Sequence, residues 1–137
     1  MIFVLGRGTE LAGPNLKIVK GWVDAKGEMQ EKVYDVAWSG DRKRGADANV
    51  PPVGSTVDVP SATWTNTIGA PELIAVWRDP DFDPAQRAFY YGRVLEIPTP
   101  RWTAYDAKYF NVKMAPEIPM QMQERAYTSP IWYTPAK

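Results

Sequence analysis

Apolar and polar residues alternate with a period of two over several stretches of this chain. That period belongs to strands half-buried in a sheet. Leu16 to Val23 is rich in β-branched and aromatic residues, and Asp24-Ala25-Lys26-Gly27 follows with glycine closing a turn. From Glu28 to Trp38 the alternation resumes, with Tyr34, Val36 and Trp38 set against Asp35 and Ala37. Two such runs around a short glycine-bearing turn predict a β-hairpin. Leu73 to Trp77 is an apolar run of strand length. Arg87 to Ile97 places Phe89, Tyr91, Arg93, Leu95 and Ile97 on one face and Ala88, Tyr90, Gly92, Val94 and Glu96 on the other. Bulk on both faces predicts a central strand.

Shorter signals complete the pattern. Met1 to Leu5 reads as a first strand, and Ser129 to Tyr133 as a closing one. Thr56-Val57-Asp58-Val59 and Ala62-Thr63-Trp64-Thr65 read as short strands, or as one bent strand cornered at Pro60. Ser39 to Gly54 has no period and reads as a long loop. Asp79 to Gln86 is an aspartate–proline turn, in which Asp83 could cap a single helical turn entered at Pro84. Pro98 to Tyr105 reads as extended and proline-stiffened, Asp106 to Phe110 as one helical turn, and Ala115 to Pro119 as a loop. No segment sustains a helical period over three turns. Together these elements predict one all-β domain over 1–137, an antiparallel β-sandwich of immunoglobulin-like or jelly-roll-like type with long loops and at most short helical turns.

Composition narrows the chemistry. The chain of 137 residues has no histidine and no cysteine. That removes the usual neutral-pH base, the thiol nucleophile and the borderline-soft metal ligands. Sixteen basic residues balance sixteen acidic ones, which does not favour nucleic acid as a partner. Arg42-Lys43-Arg44, beside Asp41, reads as a solvated loop. No apolar run is long enough to span a bilayer as a helix, so no membrane partner is expected. Compartment stays open, since lack of cysteine does not fix it. Asp79, Asp81 and Asp83 have the alternate spacing of some calcium loops, but Pro84 stands where a glycine is needed. No catalytic residue, metal ligand or cofactor is assigned within this segment.

The aromatic residues carry the remaining signal. Trp22, Trp38 and Trp77 fall within strand patterns and are expected in the core. Trp102 and Trp132 sit in proline-flanked segments and are the expected surface pair. Arg101, in its stiff segment, could hold a carboxylate or phosphate, or pair internally with Asp106, Glu96 or Glu124. Glu124-Arg125 carries the same ambiguity. Arg101, Trp102, Tyr105, Arg125 and Trp132 are therefore the candidate binding or domain-interface residues. A rival reading makes the chain a stand-alone module for glycan or protein ligands, with Trp64 and Trp102 as stacking platforms.

Three segments resemble a known family. They are Lys20 to Gly27 with Lys32 to Trp38, Trp77 to Tyr91 running on to Glu96-Ile97-Pro98-Thr99-Pro100-Arg101-Trp102, and Gln123 to Tyr133. This resembles the C-terminal region of the domain-of-unknown-function 3604 family, relatives of the PHP and amidohydrolase metal-dependent hydrolases. The resemblance implies a longer bacterial parent, often exported, whose divalent metal and ligating histidines lie in an N-terminal catalytic domain. This chain would then be a C-terminal accessory domain whose partner is the catalytic domain of the same polypeptide. Segments 98–105 and 123–133 would pack on it. Apolar surface left open in the isolated fragment could also drive a homodimer.

Overall fold

The structure, a computed structural model, describes residues 2–7 (backbone only), 15–46 and 49–136. The elements in chain order are β1 (Ile2–Arg7), β2 (Asn15–Val23), β3 (Met29–Trp38), β4 (Glu72–Trp77), β5 (Ala88–Leu95), β6 (Thr99–Pro100), α1 (Trp102–Phe110), β7 (Gln121–Met122), β8 (Arg125–Tyr127) and β9 (Ile131–Tyr133).

The expected hairpin is β2–β3. The Asp24 amide donates to the Glu28 carbonyl (2.9 Å) and the Gly27 amide to the Asp24 carbonyl (3.0 Å). Gly27 has φ +84°, a conformation open to glycine at no steric cost. Val36 is the extra residue of a bulge, because Leu16 pairs with Ala37 while Lys17 pairs with Asp35. On the other side of β2 lies β5, antiparallel and central as expected, with Trp22 opposite Ala88 and Asn15 opposite Leu95.

β8 and β9 line up end to end along the outer edge of β5. Pro130 lies in the break between them, where a residue without an amide hydrogen cannot continue a ladder. Thr128 bridges part of the gap: its amide donates to the Gly92 carbonyl (3.0 Å) and its hydroxyl accepts from the Gly92 amide (2.9 Å). The sheet order is therefore β3-β2-β5-β8, with β9 also on β5.

A second layer is the antiparallel ribbon β1–β4. Leu73 and Trp77 of β4 pack onto one face of the main sheet against Leu16, Ile18, Ala88 and Tyr90, and this is the core. Leu16, Ile18, Val19 and Ile97 are fully buried, each worth about 1.5–3 kcal/mol of apolar burial. The architecture is an all-β, sandwich-like arrangement of antiparallel sheets with long loops. Met1, the start of the expected first strand, and residues 47–48 of the expected 39–54 loop lie outside the described residues.

Three local expectations are corrected. Residues 102–105 are not extended: α1 starts at Trp102 and runs nine residues, so it is more than a single turn at 106–110. Pro98 and Pro100 hold only the residues before it extended, and the helix stops at Asn111, which adopts φ 51°. Around Pro60 there is a tight turn closed by one bridge, Asp58 to Thr63, with no full strands. Asp83 caps no helix; its carboxylate accepts the Ala85 amide (2.8 Å) within a turn.

Candidate functional site

The Asp-Pro-Asp-Phe-Asp-Pro segment is fastened to the core face of the sheet. Lys20, in the middle of β2, points its ammonium into the core layer and meets Asp79 at 2.6 Å, with the two side chains only 3% and 6% exposed. The same ammonium donates to the Asp81 carbonyl (2.7 Å). Tyr90 donates to Asp79 (2.8 Å), and Tyr34 donates to Asp81 (2.7 Å) and more weakly to Asp79 (3.3 Å). Lys32 pairs with Asp81. Phe82 packs edge-on against Tyr133, whose hydroxyl donates to the Pro84 carbonyl (2.8 Å).

The electrostatics follow from these contacts. Burial works against the Asp79 carboxylate, yet hydrogen bonds from Lys20, Tyr90 and the Asp81 amide outweigh it and hold Asp79 below the usual carboxylate range. Lys32 and Tyr34 hold Asp81 low in the same way. Burial and the neighbouring aspartates push the Tyr34 and Tyr90 hydroxyls well above the ordinary phenol value. Of the three aspartates that suggested a calcium loop, Asp79 and Asp81 thus have their charge matched by Lys20 and Lys32. Among the described residues, no group of three histidine, cysteine, aspartate or glutamate side chains is placed to hold a metal ion. This cluster locks a loop in place.

The opposite face of the sheet is the candidate site. Strand alternation puts Lys17, Val19 and Gly21 of β2 there, with Phe89, Tyr91, Arg93 and Leu95 of β5, Arg125 and Tyr127 of β8, and Trp132 of β9. Four rings form a continuous row. Trp132 meets Phe89 at 5.2 Å, Phe89 meets Tyr91 at 6.4 Å, and Tyr91 meets Tyr127 at 6.1 Å between centroids. Gly21 makes room for the row: a Cβ there would lie 2.2 Å from the tip of the Phe89 ring. Trp132 is 72% exposed and Tyr127 is exposed as well. Beside Trp132 a groove of about 680 Å³ runs past Val23, Met29 and Phe89. No layer equivalent to β1–β4 covers this row among the described residues.

The five candidates separate into two groups. Arg125 and Trp132 stand on the aromatic face. Trp102 and Tyr105 project from α1, 62% and 45% exposed, and Arg101 precedes the helix, its amide donating to the Met120 carbonyl (3.0 Å). Among the described residues, no hydrogen bond, ion pair or ring contact joins the two groups, and Arg101 forms no ion pair with Asp106, Glu96 or Glu124.

Phe89, Tyr91 and Tyr127 belong to the face without having been singled out. The shared face of Phe89 and Tyr91 was visible in the β5 alternation, but the small residue opposite Phe89, Gly21, was the missed sign of a ring laid across the sheet. In the basic cluster Lys43 and Arg44 are exposed, as a solvated loop implies, while Arg42 is half-buried. Arg42 donates to the Ser39 and Pro51 carbonyls, while Arg44 donates to the Asp35 carbonyl and lies over the Trp38 ring. Trp64 is half-buried, with its indole donating to Asn66 (3.2 Å).

The model of a family described as a protein of unknown function, DUF3604, covers residues 11–135, a stretch that contains the fastened loop, the aromatic row and α1. No curated protein and no solved structure matches the chain. With nearly its whole length matched, the chain belongs to the DUF3604 family.

Proposed function

We propose that this chain is a non-catalytic accessory domain, C-terminal in a larger metal-dependent hydrolase-like protein, and that it docks on the catalytic domain through its aromatic face. The observation that carries the reading is the row Trp132–Phe89–Tyr91–Tyr127, exposed at its two ends and half-buried between them, with Arg125 beyond Tyr127. Exposed Trp, Tyr and Arg on one sheet face are the residue types that dominate buried contacts between folded surfaces. The hydrolase part rests on the family resemblance, and a divalent metal would belong to the other domain. The absence of histidine from this chain supports a role without chemistry of its own.

The same face could serve a glycan-binding module, but its geometry favours that use less. Stacking on a flat sugar asks for exposed coplanar rings, whereas the exposed Trp132 and Tyr127 are tilted 47° from Phe89 and 51° from Tyr91, and the nearly parallel pair, Phe89 and Tyr91 at 8°, is half-buried. Tilted rings interdigitate better with side chains of a protein partner.

The test compares Trp132→Ser and Tyr127→Ser in the isolated chain and in the full polypeptide that encodes it. Both variants should leave the unfolding midpoint of the isolated chain nearly unchanged, since both side chains are exposed. In the full polypeptide they should speed proteolytic cleavage between the domains. Unchanged cleavage would count against docking through this face.

A further inference from the structure

A second feature of the outer face lies at the opposite end from Trp132. Asn15, Lys17 and Leu95 form the floor of a cavity of about 500 Å³ bordered by the 50–55 loop and by Gln121 and Gln123. That volume suits a ligand the size of a monosaccharide.

The charges around this floor do not balance. Lys17 and Arg93 sit directly opposite each other on neighbouring strands, an arrangement of like charges that is normally avoided. Asp35 answers Lys17 at 2.7 Å. Arg93 has no answering group: its guanidinium has no hydrogen-bond or ion-pair partner among the described residues, and its Nε is buried. Arg42 lines the cavity with Lys17, its guanidinium held in place by the Ser39 and Pro51 carbonyls, and Arg93 stands beside Lys17. Arg125 stands diagonally from Arg93 on β8.

The polar groups are unsatisfied in a complementary way. Asn15 is more than nine-tenths buried, yet its side-chain oxygen has no partner. Buried orphans of this kind mark a missing ligand or water. Ser55 donates to the Gln121 side-chain oxygen (2.9 Å), which turns the Gln121 amide into a fixed donor at the rim.

We propose that this cavity binds a small hydroxylated anion of monosaccharide size, bearing a carboxylate or a phosphate. The anionic group faces Lys17 and Arg42, which line the cavity, with Arg93 beside Lys17 on the neighbouring strand adding positive potential; a ligand hydroxyl donates to Asn15, and the glutamines of the rim take further hydroxyls. The site is separate from the aromatic row and does not depend on domain docking.

Isothermal titration of the chain with glucuronate, glucose 6-phosphate, glucose and inorganic phosphate tests this. At least one acidic sugar should bind saturably, about tenfold or more tighter than glucose and than inorganic phosphate. Which acid binds distinguishes carboxylate from phosphate. Arg93→Gln should weaken that binding about threefold or more through the lost neighbouring charge, while leaving the fold as stable as before, since it removes an unanswered cation. Gln123→Ala, at an exposed rim position, should weaken it with the fold intact. The proposal is overturned if neither acidic sugar binds at millimolar concentration, if glucose binds as well as the acids, if inorganic phosphate matches the sugar acid, or if both folded variants bind like the wild type.

Discussion

Replacing Lys20 by Met removes one ammonium from the core while keeping most of the side-chain volume. The ion pair it breaks is 2.6 Å long, and both partners are nearly inaccessible to water. At an effective dielectric of about 20, the direct attraction is about 6 kcal/mol, offset by several kcal/mol of desolvation. Asp79 would keep its bonds from Tyr90, Tyr34 and the Asp81 amide but lose its only cation among the described residues. A buried charge stripped of its partner costs about 3–5 kcal/mol, a large share of the 5–15 kcal/mol that holds a domain of ordinary stability together. Asp79→Asn should cost a comparable amount, because it leaves the Lys20 ammonium buried with the Asp81 carbonyl. The double variant should be far less destabilised than the sum of the two singles, since neither charge remains. Urea denaturation followed by tryptophan fluorescence measures all three, with an unchanged m-value showing that the native state is still compact. A Lys20→Met protein within about 1 kcal/mol of wild type, or strict additivity in the double variant, would refute the claim that this pair locks the 79–84 loop to the sheet.

Other outcomes follow from the same geometry. Gly21→Ala should destabilise by about 1–3 kcal/mol in thermal or urea unfolding, because the new methyl must displace the Phe89 ring from between Tyr91 and Trp132; a neutral effect would mean the row is loosely packed. Asp79 has a depressed folded-state value, so its contribution is complete above the unfolded carboxylate range and is lost as pH falls through the folded value; stability should decline below about pH 4, less steeply in Asp79→Asn. Tyr34 and Tyr90 hold their protons more tightly when folded, so stability should also fall above about pH 10, and a flat alkaline limb would contradict the Asp79–Asp81 hydrogen bonds. The isolated chain should self-associate in sedimentation runs in proportion to the open apolar face, with Trp132→Ser reducing it.

The strands were legible because their alternation is set by short-range sterics and half-burial, which is why the β2–β3 hairpin and the central position of β5 could be anticipated. The helix was hidden by its own surface. Only Thr103 and Ala104 of α1 are buried, while Trp102, Tyr105, Tyr109 and Phe110 face outward, so its apolar residues mark the wrong side for a periodicity argument. The burial of Lys20 was invisible for another reason: its partner Asp79 lies 59 residues away, and a lysine in a strand normally reads as solvent-facing. Of the candidate site, Trp132 and Arg125 were legible as aromatic and cationic residues near prolines. The row that joins Trp132 to Tyr127 depends on β8 and β9 meeting β5 in register, and on Gly21 yielding space to Phe89.

The most direct test of the docking account is oxidative footprinting of Trp132 in the isolated chain and in the full polypeptide that encodes it. In the isolated chain the indole should react readily. In the full polypeptide the account predicts that Trp132 is protected several-fold while Trp102, on α1 and away from the row, serves as a comparison. Equal reactivity of Trp132 in the two proteins would contradict docking through the aromatic face.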